Sequence, residues 1–325
     1  MAVAVSAALA ACSSSATPVP ATAKVYTYKD MVVGFIQTGS ESGWRAANTS
    51  SFNEEAKTDG ITLKFTDSQN KIENQITAFN TYIADPAVNV IVLAAVDVTG
   101  YDNVLKAAKA AGKVVVIEDR RIDSPSTLYY TYIGSDFDLE GNKGAAAMCT
   151  LLTGMSGANV VEIGGDQGAS AAIDRAKGFR EKDSACGINI LDSQYAAAWD
   201  PTVGKSIMDA DLKKYAGKIQ GVYAHNDELA IAAIQSIDAA GLKAGTDIKV
   251  VGFDATADGF KYMITGELGA DIECNPLLAP QVYKAALDAL NGVTGQPAWV
   301  PSQEGQFAAS QGAQALQDIL KTRKY

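Results

Sequence analysis

The chain has 325 residues, 37 acidic against 27 basic, for a formal net charge of -10 with 47% apolar side chains. That balance rules against a nucleic-acid partner, because counterion release from phosphates needs clustered Lys and Arg and no such block occurs. General affinity for anionic lipid surfaces is ruled out on the same ground, and the length suits two medium-sized lobes.

The first element, residues 1–29, joins an apolar stretch ending Leu9-Ala10-Ala11-Cys12 to a Ser/Thr/Pro/Ala tract. The stretch is too short to span a bilayer and reads as the end of an export signal, although no Lys or Arg precedes it. Leu-Ala-Ala-Cys resembles a bacterial lipobox, so Cys12 is the expected acylated anchor and the tract behind it a flexible tether. Of the other cysteines, Cys149 and Cys186 could pair in an oxidising compartment, and the odd number leaves a free thiol. With no C-x-x-C and no Cys/His cluster, neither a metal nor a cofactor is expected.

From residue 31 short β-branched runs alternate with helix-length segments. The runs are MVVGFI (31–36), ITLKF (61–65), NVIVLAA (89–95), KVVVIE (113–118) and YYTYIG (129–134), then NVVEIG (159–164), INILDS (188–193), IQGVYAH (219–225), IKVVGF (248–253) and GADIEC (269–274). Amphipathic segments such as Ile72 to Ile83 and Leu229 to Ala240 lie between them, often closed by Gly. Strands this apolar, separated by helical crossovers, predict parallel sheets covered on both faces. Ten runs exceed one compact open sheet and the pattern restarts after residue 134, so the fold class is α/β with two doubly wound parallel-sheet lobes. A helix from Pro276 to Leu290 is expected to cross back.

Ligands of open parallel sheets bind beyond the carboxyl ends of the strands. Those ends carry Glu41, Trp44 and Arg45; Asp97; Asp119, Arg120 and Arg121; Asp166 and Gln167, with Asp174 and Arg175 in the following helix; Asn226 and Asp227; and Asp254. Asp97 and Asp227 fit helix caps equally well. Arginines do not cap helix N-termini, so Arg45, Arg120 and Arg175 read as forks directed at a polar ligand. On the helix that Trp44 opens, the apolar stripe runs through Asn48, Thr49, Phe52 and Ala56, whereas Trp44 lines up with Ala47, Asn48, Ser51 and Glu55. Trp44 is therefore expected at the mouth of the lobe, and Trp199 sits likewise in a loop after a strand. Two aromatic faces among Asp, Asn and Arg suit a small polyhydroxylated ring, whose C–H faces stack while its hydroxyls take hydrogen bonds.

Several motifs carry no chemistry. Asp136-x-Asp138-x-Glu140-Gly141 begins like an EF-hand loop, but Ala147 stands where a bidentate Glu is required. IGGDQG lacks the first glycine of a dinucleotide fingerprint, and Gly204-Lys205-Ser206 lacks the upstream glycine of a phosphate loop. His225, the only histidine, ends an apolar strand with no nucleophile to serve, so an enzyme is not expected.

The stretches VGFIQTGSESGWRAAN, ITLKFTDSQNKIENQI, EDRRID, GASAAIDRAKGF, VYAHNDELAIAAIQSIDAAGLKAGTDI and GFDATADGFKYM together resemble the ribose/galactose-type periplasmic sugar-binding proteins of ABC importers, most of all the galactofuranose-binding members. The likeness runs from about Val32 to Pro280 and fades in the tail. It implies two lobes joined by three crossovers, one of residues 30–134 with 276–304, the other of 135–275 with 305–325. It implies reversible, non-catalytic capture of a monosaccharide, a galactofuranose-like furanose or a pentose. It implies a permease as the protein partner and a monomer, while the lipobox, which departs from soluble periplasmic relatives, suggests a protein tethered by its lipid alone to the outer face of the cell membrane, a periplasmic location being the alternative. The site residues it implies are Glu41, Trp44, Arg45, Asp119, Arg120, Arg175, Trp199, Asn226, Asp254 and, at the return crossover, Asn275, with Glu273 the alternative there. Another small polyol, or a signal molecule feeding a membrane sensor, is the alternative ligand class.

Overall fold

The computed structural model describes residues 24–40, 42–155, 157–183 and 186–325. Cys12 and Glu41, the expected anchor and one expected ligand contact, lie outside the described residues. Two six-stranded sheets form two α/β lobes. The first lobe contains β1 (Val32–Gln37), α1 (Gly43–Asp59), β2 (Thr62–Asp67), α2 (Ile72–Ala84), β3 (Val90–Ala94), α3 (Asp102–Ala110), β4 (Val114–Glu118) and β5 (Thr131–Gly134). The second contains α4 (Phe137–Leu151), β6 (Asn159–Gly164), α5 (Ser170–Asp183), β7 (Asn189–Tyr195), α6 (Pro201–Lys214), β8 (Gly221–Ala224), α7 (Asp227–Ala239), β9 (Lys249–Asp254), α8 (Ala257–Thr265) and β10 (Ala270–Glu273). The chain then returns to the first lobe with α9 (Ala279–Leu290) and β11 (Trp299–Pro301), and crosses again to give β12 (Gln306–Ala308) and α10 (Ala313–Leu320) in the second.

The strand orders are β11-β5-β4-β3-β1-β2 and β12-β10-β9-β8-β6-β7. All ladders are parallel except β10 with β12. Alternate residues of the central strands feed opposite cores. Val90, Val92 and Ala94 pack with Phe52 and Ala56 of α1 and Val282 and Tyr283 of α9, whereas Ile91 and Leu93 pack with Phe79 and Tyr82 of α2 and Leu105 of α3. A strand buried on both faces has no polar side to alternate with, which explains the unbroken run VIVLA.

Two details depart from the expectation. The helix expected from Pro276 begins at Ala279, because residues 276–278 turn rather than coil, the Pro276 carbonyl accepting from the Leu278 N–H at 2.9 Å and from Asn48 Nδ2 at 3.1 Å. β11 and β12 have only three residues each, too short for a periodicity to register.

Each of the three crossovers supplies a group to one knot. Ser135 Oγ, from the first, lies 3.3 Å from Cys274 Sγ at the start of the second and donates to Glu304 on the third. Glu304 Oε1 also accepts from the Asn275 N–H at 3.2 Å. A disulfide joins Cys149 in α4 to Cys186 in the turn before β7, with the Cα atoms 5.7 Å apart. Among the described residues no helix is long and apolar enough to cross a membrane.

Candidate functional site

In each sheet the strand order reverses at one point, between β1 and β3 and between β6 and β8, and the crevice lies beyond the carboxyl ends there. The two crevices face each other and line one cavity. Of the ten residues expected at the site, Trp44, Arg45, Asp119, Arg120, Arg175, Trp199, Asn226 and Asp254 line it. Asn275 does not: it stands one residue beyond the lining Cys274, and its Oδ1 accepts from the Leu277 N–H to stiffen the crossover.

The first wall is built by the turn into α1. Ser42 caps the helix by accepting from the Arg45 N–H at 3.0 Å, which places Trp44 and Arg45 in the first turn over the strand ends. Trp44 Nε1 donates to the Cys274 carbonyl at 2.7 Å, so its indole is fixed edge-on against a crossover. Arg45 is 3% exposed and donates to Asp119 Oδ2 at 2.7 Å and Gln37 Oε1 at 3.1 Å. Behind this pair, Asn48 Nδ2 donates to Glu118 Oε2 at 3.2 Å. Burial first, and the Asp119 charge second, push the Glu118 carboxyl up to about 8.

Arg175 dominates the opposite wall. It is 2% exposed, lies over the rings of Phe137 and Phe253, and donates to Glu140 Oε2 at 2.7 Å, to Asp254 Oδ1 at 3.3 Å and to the His225 carbonyl. Burial holds the Asp254 carboxyl well above its usual range, an effect the Arg175 charge offsets only in part. Asn226 caps α7 through Oδ1, accepting from the Leu229 N–H at 3.0 Å, so one side chain both starts a helix and borders the cavity. The Trp199 ring lies where a Cβ on Gly165 would come within 2.2 Å of it, and that glycine lets the indole reach the cavity. Trp199 Nε1–H is a buried donor without an acceptor among the described residues.

Three lining residues, Asp119, Trp199 and Asp254, have left-handed backbones with φ of 58°, 58° and 100°. Such conformations cost about 1–3 kcal/mol each for non-glycine residues and concentrate at functional sites. Phe137 and Cys274 also line the cavity, and Glu140 and Glu118 support it; sequence reading did not single these out as site residues. Phe137 is the first residue of α4, where no helical periodicity has yet built up, and Glu140 falls in the calcium-loop-like pattern that Ala147 rules out. Cys274 is fully buried and its thiol is pushed up by burial, so it is no thiolate nucleophile.

The lobes also touch around the cavity. Arg121 grips Asp174 through Nε–Oδ2 and Nη2–Oδ1, each 2.8 Å. The Val98 N–H donates to the Gly168 carbonyl at 3.1 Å, the Gly43 N–H donates to Glu228 Oε1 at 2.9 Å, and the Arg120 guanidinium stands 5.6 Å from the Trp199 ring centre. Asp227, one of the two possible caps, is a buried structural acid, accepting from Thr256 N and Oγ1 at 2.7 and 2.6 Å.

Two parallel-sheet lobes with a polar cavity between their strand ends define a solute-binding protein of the type I periplasmic class. Residues 33–297 match the model of the periplasmic binding protein domain, and the chain belongs to that family. It is 43% identical to the galactofuranose-binding protein YtfQ of Escherichia coli K12 over 86% of each chain. A solved galactofuranose-binding protein superposes with a TM-score of 0.85 at 38% identity, covering 91% of this chain and all of the other. The arabinose transporter component of Shewanella sp. ANA-3, solved with α- and β-L-arabinofuranose, gives 0.84 at 37% identity, over 90% and 99% of the two chains. The protein is a binding protein, not an enzyme, of an extracytoplasmic family.

Proposed function

We propose that the chain captures a monosaccharide, a furanose above all, between two lobes that shut on it, and presents the closed form to the permease of an ATP-driven importer. The observation that carries this reading is the lining of the cavity: three rings, Trp44, Phe137 and Trp199, and six planar polar groups drawn from both lobes. Apolar faces with a few convergent polar groups are the make-up of a small-molecule site, and these suit the C–H faces and hydroxyl edge of one sugar ring. Asp119 and Asp254 accept from hydroxyls, Arg45, Arg120 and Arg175 donate to hydroxyl or ring oxygens, Asn226 does both, and the indoles cover the C–H faces. The furanose preference rests on the relatives, two with galactofuranose and one with arabinofuranose in their descriptions. Because both lobes supply contacts, a bound sugar favours the closed arrangement by its differential affinity. Acylation at Cys12 keeps the protein beside its transporter.

Calorimetry of the protein against galactofuranose, arabinose, ribose and hexopyranoses tests the reading. Binding in the micromolar range or tighter to a furanose is expected, and failure of every monosaccharide to bind below millimolar overturns it.

A further inference from the structure

The family match runs on to residue 297, past the expected limit near Pro280, yet nothing after Cys274 lines the cavity. The end of the second lobe nevertheless grips a cavity loop. β9 runs out at Asp254, where φ is 100°, and Ala255 follows with φ of 53°, so two successive left-handed residues occur with no glycine between them. Conformations of this kind persist only where surrounding contacts over-determine them.

The contacts are present, and they come from outside the loop. The Ala255 N–H donates to Asp271 Oδ1 on β10 at 3.1 Å, and the Ala255 carbonyl accepts from Arg323 Nε at 2.6 Å. Asp227 on α7 takes Thr256 N and Oγ1, as described, and the Ala257 N–H donates to the Tyr325 carbonyl at 2.8 Å. Arg323 is itself immobilised: its Nη2 meets Glu273 Oε1 at 2.8 Å, its guanidinium lies over Phe260 and Phe307, and Tyr325 Oη donates to the same Glu273 oxygen at 2.6 Å. α10 holds this segment against the lobe core through the buried Leu316.

We propose that Arg323, together with Asp227 and Asp271, is a positioning residue for ligand capture, holding Asp254 and Ala255 left-handed so that the Asp254 carboxyl stays on the cavity wall beside Arg175. This rests on the reading of Asp254 as a ligand contact. A residue that relaxes from left-handed to extended backbone swings its side chain away from the direction it had. The alternative is that the loop merely fastens the tail, in which case the tail is dispensable to Asp254.

The test is Arg323→Ala, with Arg323→Lys in its place if the first does not fold, since lysine keeps a charge at Glu273 but has no fork to reach Ala255 as well. Cα and Cβ chemical shifts of Asp254 and Ala255, recorded by NMR on the full chain without sugar, report the backbone directly. Left-handed shifts in the parent and their loss in the variant are expected. If one variant molecule in ten keeps the competent loop, calorimetry reads a Kd roughly tenfold weaker for the sugar that the parent binds. Left-handed shifts retained in the variant overturn the proposal, as do lost shifts with a Kd within twofold of the parent. Should the parent bind no monosaccharide, the sugar reading falls while the shifts still decide whether Arg323 positions Asp254.

Discussion

Arg121→Ala removes an ion pair that exists only where the lobes meet. Its two bonds to Asp174 are both 2.8 Å, and the side chains are 37% and 15% exposed. Exposed pairs contribute about 0.2–1 kcal/mol and well-formed charge-assisted bonds about 1.5–3 kcal/mol, so a half-exposed bidentate pair is placed near 1 kcal/mol. Arg121 also holds Asp123 in its own lobe at 2.6 Å, a bond indifferent to closure that adds nothing to the difference. On the proposed closure the open form lacks the Asp174 contact, so the whole amount enters the sugar affinity: about 1 kcal/mol is roughly a fivefold rise in Kd. A latch forms after encounter, so the change falls on dissociation, and added salt narrows the gap between variant and parent by screening. Calorimetry gives the Kd, and stopped-flow tryptophan fluorescence separates the rates. The double variant with Asp174→Ala should cost no more than either single change; losses that add, or a Kd unchanged in Arg121→Ala, refute the latch.

Replacing Cys149 and Cys186 by serine opens a crosslink spanning 37 residues, worth about 4 kcal/mol in the chain-entropy account, so the melting temperature drops by several degrees. Sugar affinity stays the same, because the pair sits at the amino ends of the strands, away from the cavity; a weakened Kd would contradict that placement. Glu118 and Asp271 are pushed up to about 8 and about 7, chiefly by burial, so the folded state keeps protons that the unfolded chain releases above its ordinary carboxyl range, and stability falls as pH rises from about 4.5 to 8. Glu162, which burial alone would raise, is drawn down to about 2 by His225, Arg180 and Ser193, so its contribution is lost as pH falls from about 4.5 to 2. His225, lowered by burial, opposes the first trend only below its ordinary 6.5. The melting temperature therefore peaks on the acid side, and a steady rise from pH 5 to 8 would sink this account. Sugar alters the fluorescence of Trp44 and Trp199 but not of the edge-strand Trp299, so Trp299→Phe keeps the signal and the Trp44→Phe/Trp199→Phe double variant loses it.

Ten of the twelve strands among the described residues are legible in the sequence, the central ones as apolar runs buried on both faces and the half-exposed edge strands β2 and β7 by their β-branched residues, and the positions just beyond them are readable because an open parallel sheet has one functional edge. Helix phase put Trp44 off the apolar stripe, and its ring lines the cavity. The same reading makes Arg45 purely a ligand fork, whereas the structure buries it against Asp119, Gln37 and the Trp44 ring, so an Arg45 variant disturbs the lobe as well as the site. That pairing joins positions 74 residues apart, and no local pattern encodes it. Asn275 is the reverse case: it directly follows the lining Cys274, but its Oδ1 is taken by the Leu277 N–H in an irregular crossover, where no periodicity says which way a side chain faces.

The backbone strain ties these observations together. Five of the seven non-glycine residues with positive φ among those described are Asp119, Ala198, Trp199, Asp254 and Ala255, all in or beside the cavity wall. A glycine at any of them would relieve the strain but would remove the side chain that the wall uses or loosen its neighbour. The fold instead keeps Asp and Trp there and holds them with bonds from elsewhere: Ile133 accepts from the Asp119 N–H, Ala196 from the Trp199 N–H, and Asp271 and Arg323 clamp Ala255. Carboxyls and an indole held this way need little reordering when a ring arrives, so more of the contact energy appears as affinity. This is the physical reason for calling the cavity a binding site, and it does not depend on which sugar fills it.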